Sequence, residues 1–297
     1  MRPRTSIVGK LIAFGALLSL APTAAEAMSV QELAQHTHFH GLAVDPADSS
    51  QLLLATHHGL FSVAQDGSVR QASSGNEDFM GFSPHPSDGV TLYSSGHPPA
   101  GGNLGFRVST DGGRTWTRLS PGAAGIADFH SMTVSPADPR TIYGSYGGLQ
   151  VSRDGGASWS MVGPGPEGTL DLAASATDAD LLYAGTSVGL MRSADAGKSW
   201  EAAHPAIDPV PMVAVAGDGT IYAYVLGTGL VRAEEPDLAW RTVGAGLDGR
   251  IIVHLAIDFK DPRHLFAVAV DATGHDPAIL ASADRGESWT EFGGTSD

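Results

Sequence analysis

The pattern Ser-x-Asp-x-Gly-x-x-Trp occurs four times in this 297-residue chain, at Ser109 to Trp116, Ser152 to Trp159, Ser193 to Trp200 and Ser282 to Trp289, at spacings of 43, 41 and 89 residues. The last interval is two periods, and a degraded copy ending at Trp240 fills it. An earlier remnant, Val63 to Val69, keeps only Asp66-Gly67. All five Trp fall in these copies. Self-similarity at a period near 40 residues marks an array or a propeller. Between boxes run short β-rich segments such as Thr141-Ile142-Tyr143 and Leu181-Leu182-Tyr183, punctuated by the turns that 38 Gly and 18 Pro supply. Each period therefore reads as four short strands, one blade. The expectation is an all-β, six-bladed β-propeller of four-stranded antiparallel blades, with seven as the alternative count. The units begin near His38, Asp78, Asp128, Leu170, Val210 and Ile251. Within each box, Asp111, Asp154, Asp195 and Asp284 are expected to be structural. The carboxylate accepts backbone N–H groups in the turn between third and fourth strands, Gly takes a positive φ, and Trp packs between sheets.

The first 27 residues read as an export signal. Arg2, Arg4 and Lys10 precede an apolar run from Leu11 to Ala21, and Ala25-Glu26-Ala27 places small residues at the two positions a signal peptidase reads. Cleavage after Ala27 would leave residues 28–297 as a single propeller domain, periplasmic or secreted. No later run approaches the roughly 18 apolar residues of a membrane-spanning helix, so no membrane insertion of the mature chain is expected. With 17 basic against 32 acidic side chains, the chain lacks the basic footprint of a nucleic-acid binder. The absence of Cys removes disulfides, thiolate metal sites and Cys nucleophiles.

The box resembles the BNR/Asp-box repeat family, which includes sialidases, sortilin-type receptors, photosystem II assembly-factor propellers and many exported bacterial proteins. The opening His38-Phe39-His40-Gly41-Leu42 is similar to that of bacterial members labelled glycosyl hydrolase or sialidase. The resemblance implies the propeller fold and leaves function open, because one fold hosts unrelated activities. A sialidase would carry a Phe-Arg-Ile-Pro-like motif and three convergent arginines. The motif is missing, and of the arginines only Arg250 borders the entry of an innermost strand. Sialidase activity is thus disfavoured. A more general glycoside hydrolase could use Asp78 and Asp128 as its carboxylate pair. A non-enzymatic assembly scaffold would instead grip a protein or small-molecule partner with its axial face.

The twelve His are the chemical anomaly of so acidic a chain. Superposing the innermost strands by their endings puts His40, Met80, His130, Leu172, Met212 and Val253 in one row. Two residues earlier lie His38, Asp78, Asp128, Leu170, Val210 and Ile251, on the same side of the strand by alternation. His57, His97, Tyr146 and Ser187 fall in the loop after the second strand, on the same edge of the sheet. Blades one to three are polar at these positions and blades four to six apolar. His38, His40, His57, His97, His130 and Met80 are therefore candidate metal ligands, with Asp78, Asp128, His36 and Tyr146 standing behind them, the carboxylates fixing imidazole tautomers. Imidazoles with one thioether and no thiolate favour copper; imidazoles with carboxylates would suit zinc. His85, His204, His264 and His275 read as structural, His254 as packing out of phase with the ligand row, and His58 as able to point either way. The leading expectation is an exported metal-binding propeller, serving metal handling or a metal-dependent reaction.

Overall fold

The computed structural model describes residues 28–293, so the export signal at residues 1–27 lies outside the described residues. The chain forms six sheets, each of four consecutive antiparallel strands. Blade one runs through Phe39–Val44, Leu52–Thr56, Gly59–Val63 and Val69–Gln71. The inner strands of the other blades are Met80–Pro84, Ser131–Val134, Thr169–Ala174, Met212–Val215 and Ile251–Ile257. Each inner strand packs against the next, and that of blade six against that of blade one, which closes a six-membered ring. Among the described residues, no blade borrows a strand from elsewhere in the chain. No helix among the described residues is long and apolar enough to cross a membrane.

The Asp-boxes are the turns between third and fourth strands, and their chemistry is the same in all four copies. The Ser hydroxyl donates to the Asp carboxylate and accepts the N–H of the Gly four residues on, as in Ser152 to Asp154 at 2.8 Å and Gly156 to Ser152 at 2.8 Å. The Asp also takes the N–H of Ser158 at 2.8 Å and its hydroxyl at 2.6 Å. Hydroxyl and backbone donors hold the carboxyls of Asp111, Asp154 and Asp195 down at about 2.

Each Trp seals one seam between blades. Trp116 packs where Leu53 and Leu60 of blade one meet Phe79 and Leu92 of blade two. Trp159, Trp200, Trp240 and Trp289 lie at the next four seams in order. The sixth seam, between blades six and one, has no Trp. It is filled by the short helix Val30–Ala34, whose Val30 and Leu33 are buried with Val63 and Val69 of blade one and Val268 and Ile279 of blade six. Ser29 and Glu32 form a reciprocal capping box that starts this helix. Met28 adds a single antiparallel bridge to Val69.

Strand pairing corrects the superposition of two blades. Val44 opposes Leu52, Ala174 opposes Leu182 and Val215 opposes Ile221. The residues equivalent to His40 in blades four and five are therefore Leu170 and Pro211, not Leu172 and Met212. Sequence endings misplace them because the inner strands of blades four and five end in Ala174-Ser175-Ala176 and Val215-Ala216-Gly217, without the Pro that marks the ending in Val44-Asp45-Pro46 and Val134-Ser135-Pro136. The lopsidedness survives the correction, since both replacements are apolar.

Candidate functional site

A propeller strand entering at the axis and the loop after the second strand open on one face. On that face blades one to three bring six chemically active side chains together. His57 leaves the end of a fully buried strand, its N–H bonded to the His38 carbonyl at 3.3 Å. Asp78 lies two residues before the inner strand of blade two, its N–H bonded to the His97 carbonyl at 3.0 Å. Gly96 makes that approach possible. Its φ is +124°, and a Cβ there would lie 2.2 Å from the Asp78 carbonyl oxygen.

The side chains then form an alternating series of imidazoles and carboxylates. His57 Nδ1 lies 2.8 Å from Asp78 Oδ2, and His97 Nδ1 lies 3.4 Å from the same oxygen. The other nitrogen of His97 is 3.4 Å from Asp128 Oδ2, which also meets His130 Nε2 at 2.9 Å. His40 Nε2 faces Asp78 Oδ1 at 3.9 Å. The ligand atoms of His40, His57 and Asp78 all lie within 4.8 Å of one another, the spacing of groups that can share one ion. His40 Nε2, Asp78 Oδ1 and Asp128 Oδ1 are buried and have no hydrogen-bond partner. Buried polar atoms without partners cost free energy, so three in one place call for an occupant. Burial, helped by the neighbouring imidazoles, pushes His40 down to about 3, which keeps its ring neutral and free to coordinate. The hydrogen bond to Asp128 raises His130.

The remaining expected residues lie at the margin. His38 is exposed and meets the His57 ring edge-on, with centroids 5.7 Å apart. His36 is exposed just beyond the N-terminal helix. Tyr146 accepts from the Asn103 side chain at 2.8 Å. Met80 is buried opposite Ser95 and does not border the axial channel that His40 and His130 line.

Three residues at this site escaped the sequence reading. Arg107, on the third strand of blade two, is buried behind Asp78. It donates to the carbonyls of Asp78 at 3.1 Å and Ser95 at 3.0 Å and stacks over Phe79 with 4.6 Å to the ring centroid. Burial lowers it to about 10, so it is the fixed counter-charge beneath the carboxylates. His254 follows Val253, the counterpart of His40, and so lies out of phase with the ligand row as expected; it nevertheless lines the channel wall, where Nε2 meets the Phe39 carbonyl at 3.1 Å. Asp171, across the channel, accepts the N–H of Leu172 at 2.9 Å and of Val213 at 3.0 Å, and desolvation raises it to about 7. An Arg inside a strand, a bulge and an inward Asp leave no periodic signal that a single sequence exposes. The channel encloses about 330 Å³. On the other half of the face, Leu170, Val188 and Ile207 are exposed apolar residues.

Fold and repeats together make the chain a six-bladed β-propeller built from BNR/Asp-box repeats. The model of the BNR/Asp-box repeat matches residues 107–118, the second-blade copy. No curated protein is similar in sequence. Among solved structures, the GH74 enzyme of Niastella koreensis is 16% identical with a TM-score of 0.59, covering 86% of this chain and 45% of its own. A protein of unknown function from Bacteroides thetaiotaomicron is 14% identical with a TM-score of 0.61, covering 82% of this chain and 69% of its own. YCF48 from Cyanidioschyzon merolae is 17% identical with a TM-score of 0.51, covering 86% and 84%. The chain spans less than half the length of the GH74 structures it matches. At these identities the likeness is one of fold.

Proposed function

We propose that this protein is an exported β-propeller that binds a transition-metal ion through His40, His57 and Asp78, for metal handling or a metal-dependent reaction outside the cytoplasm. The observation that carries the reading is the pair His40 Nε2 and Asp78 Oδ1, both buried, both without a partner, and 3.9 Å apart. Metal–ligand bonds of about 2.0–2.1 Å put neighbouring ligand atoms roughly 3.3 Å apart in a tetrahedral site, a spacing that small side-chain adjustments reach here. Two imidazoles and a carboxylate are nitrogen and oxygen donors for a borderline divalent ion. On the same donors copper(II) binds more tightly than zinc. Met80 is buried opposite Ser95, and the set His40, His57 and Asp78 contains no thioether, the donor that would favour the softer copper(I). Export rests on the basic and apolar run ahead of Ala27.

Copper(II) or zinc added to the metal-free chain should bind and raise thermal stability, by about 2.7 kcal/mol at a hundred times Kd. His40→Ala and Asp78→Asn should each lose that shift. Metal analysis and calorimetry giving no bound ion and no stabilisation in the wild-type chain would overturn the reading. The alternative, a glycoside hydrolase using Asp78 and Asp128, has both carboxylates lying behind imidazoles at 4% and 7% side-chain exposure. Hydrolysis of an aryl glycoside that survives chelation and disappears in Asp128→Asn would establish it instead.

A further inference from the structure

We propose that the same face holds a second, exchangeable divalent ion between His97, Asp128 and His130, an inference that rests on the first ion at His40, His57 and Asp78. The pseudo-symmetry of the ring supplies the first argument. His57 sits in the loop after the second strand of blade one and meets Asp78 at the entry of blade two; His97 and Asp128 repeat that relation one blade further on. His130 then completes the outer set from the inner-strand entry of blade three.

Hydrogen-bond accounting supplies the second. His97 presents Nδ1 to Asp78 Oδ2 and Nε2 to Asp128 Oδ2, each at 3.4 Å. A neutral imidazole has one N–H, so one ring nitrogen directs its lone pair at a carboxylate oxygen. A cation beside Asp128 turns that repulsion into shared coordination. Asp128 is 5% exposed, and its Oδ1 is buried with no partner. Asp128 Oδ2 lies 2.9 Å from His130 Nε2, a hydrogen bond, and 3.4 Å from His97 Nε2, so an ion binding here would replace that bond and draw the two imidazoles together toward the roughly 3.3 Å edges of a tetrahedral site.

Exposure distinguishes the two ions. His57 and His97 are equally exposed at 39%, so the difference lies in the third ligand, His40 at 17% in the inner set and His130 at 65% in the outer one. The outer ion therefore keeps coordination positions open to water or an anionic ligand and exchanges faster than the inner one.

Zinc titrated into the metal-free full chain, followed by calorimetry and by metal analysis after gel filtration, should report two ions per chain of unequal affinity. His130→Ala, a surface substitution that preserves the fold, should reduce this to one, and Asp128→Asn should do the same. One ion in both wild type and His130→Ala overturns the second site and leaves the first standing; no ion in the wild type overturns both. Two ions in His130→Ala overturn the assignment of the outer ligands. Nitrogen-15 NMR of zinc-saturated protein should show His97 with a single ring N–H or none. A doubly protonated His97 bridging the two carboxylates would replace the ion with an ion pair and overturn the proposal.

Discussion

Asp78 shares one carboxylate oxygen between His57 and His97 and leaves the other unpartnered opposite His40, while Arg107 grips its backbone carbonyl from behind. One residue thus ties together four blade-one and blade-two elements, which is why its removal should affect metal binding more than that of exposed His38. Asp171 offers a separate test, because its carboxyl is raised to about 7 by desolvation on the far wall of the channel. Between its ordinary value near 3.9 and 7, the folded chain holds a proton that the unfolded chain has released, so Asp171 erodes stability as pH rises through that window. Asp171→Asn removes the effect. Relative to wild type, the variant should gain on the order of 2 kcal/mol between pH 5 and pH 8. Denaturant unfolding of the two proteins at both pH values measures it, and a pH-independent difference would refute it. His40 titrates in both proteins and cancels from the comparison.

At the scale of the element, the Asp-box was legible in full because its chemistry is local. Ser, Asp, Gly and Trp sit within eight residues and satisfy one another, so the motif survives as a spacing. Ser152 is 1% exposed and its hydroxyl is the acceptor of the buried Gly156 N–H. Ser152→Ala should therefore cost about 1–3 kcal/mol, the penalty of a buried donor left without a partner. Ser158→Ala, in the exposed part of the same turn, should cost clearly less; thermal melts of the pair decide. The inner strands were less legible. Irregularities at His40, between Met80 and Ser83, at Leu170 and at Val253 reset which residues face the channel. A bulge depends on the neighbouring strand, so the shared irregularity at His40, Leu170 and Val253 leaves no mark in the spacing of any one repeat.

Across the whole molecule, five Trp seal five seams and the N-terminal helix seals the sixth. Among the described residues the ring closes by side-chain packing and not by a strand shared between first and last blades. Leu33 is 3% exposed at that seam. Leu33→Ala should destabilise the protein by about 2–5 kcal/mol. Hydrogen exchange should speed up first in blades six and one; uniform acceleration in all six blades would argue against a seam held locally. From the sequence alone came the blade count, the four-strand unit, the structural duty of Asp111, Asp154, Asp195 and Asp284, and the polar character of one half of one face. These follow from local turn chemistry and from a period repeated along the chain. Only the tertiary structure decided that Asp78 and Asp128 alternate with His57, His97 and His130, that Met80 is buried opposite Ser95, that Arg107 lies buried behind Asp78, and that Asp171 and His254 line the axial channel. Those outcomes depend on how neighbouring blades bulge, stack and exclude water, which involves residues tens of positions apart and leaves no trace in the spacing of any one repeat.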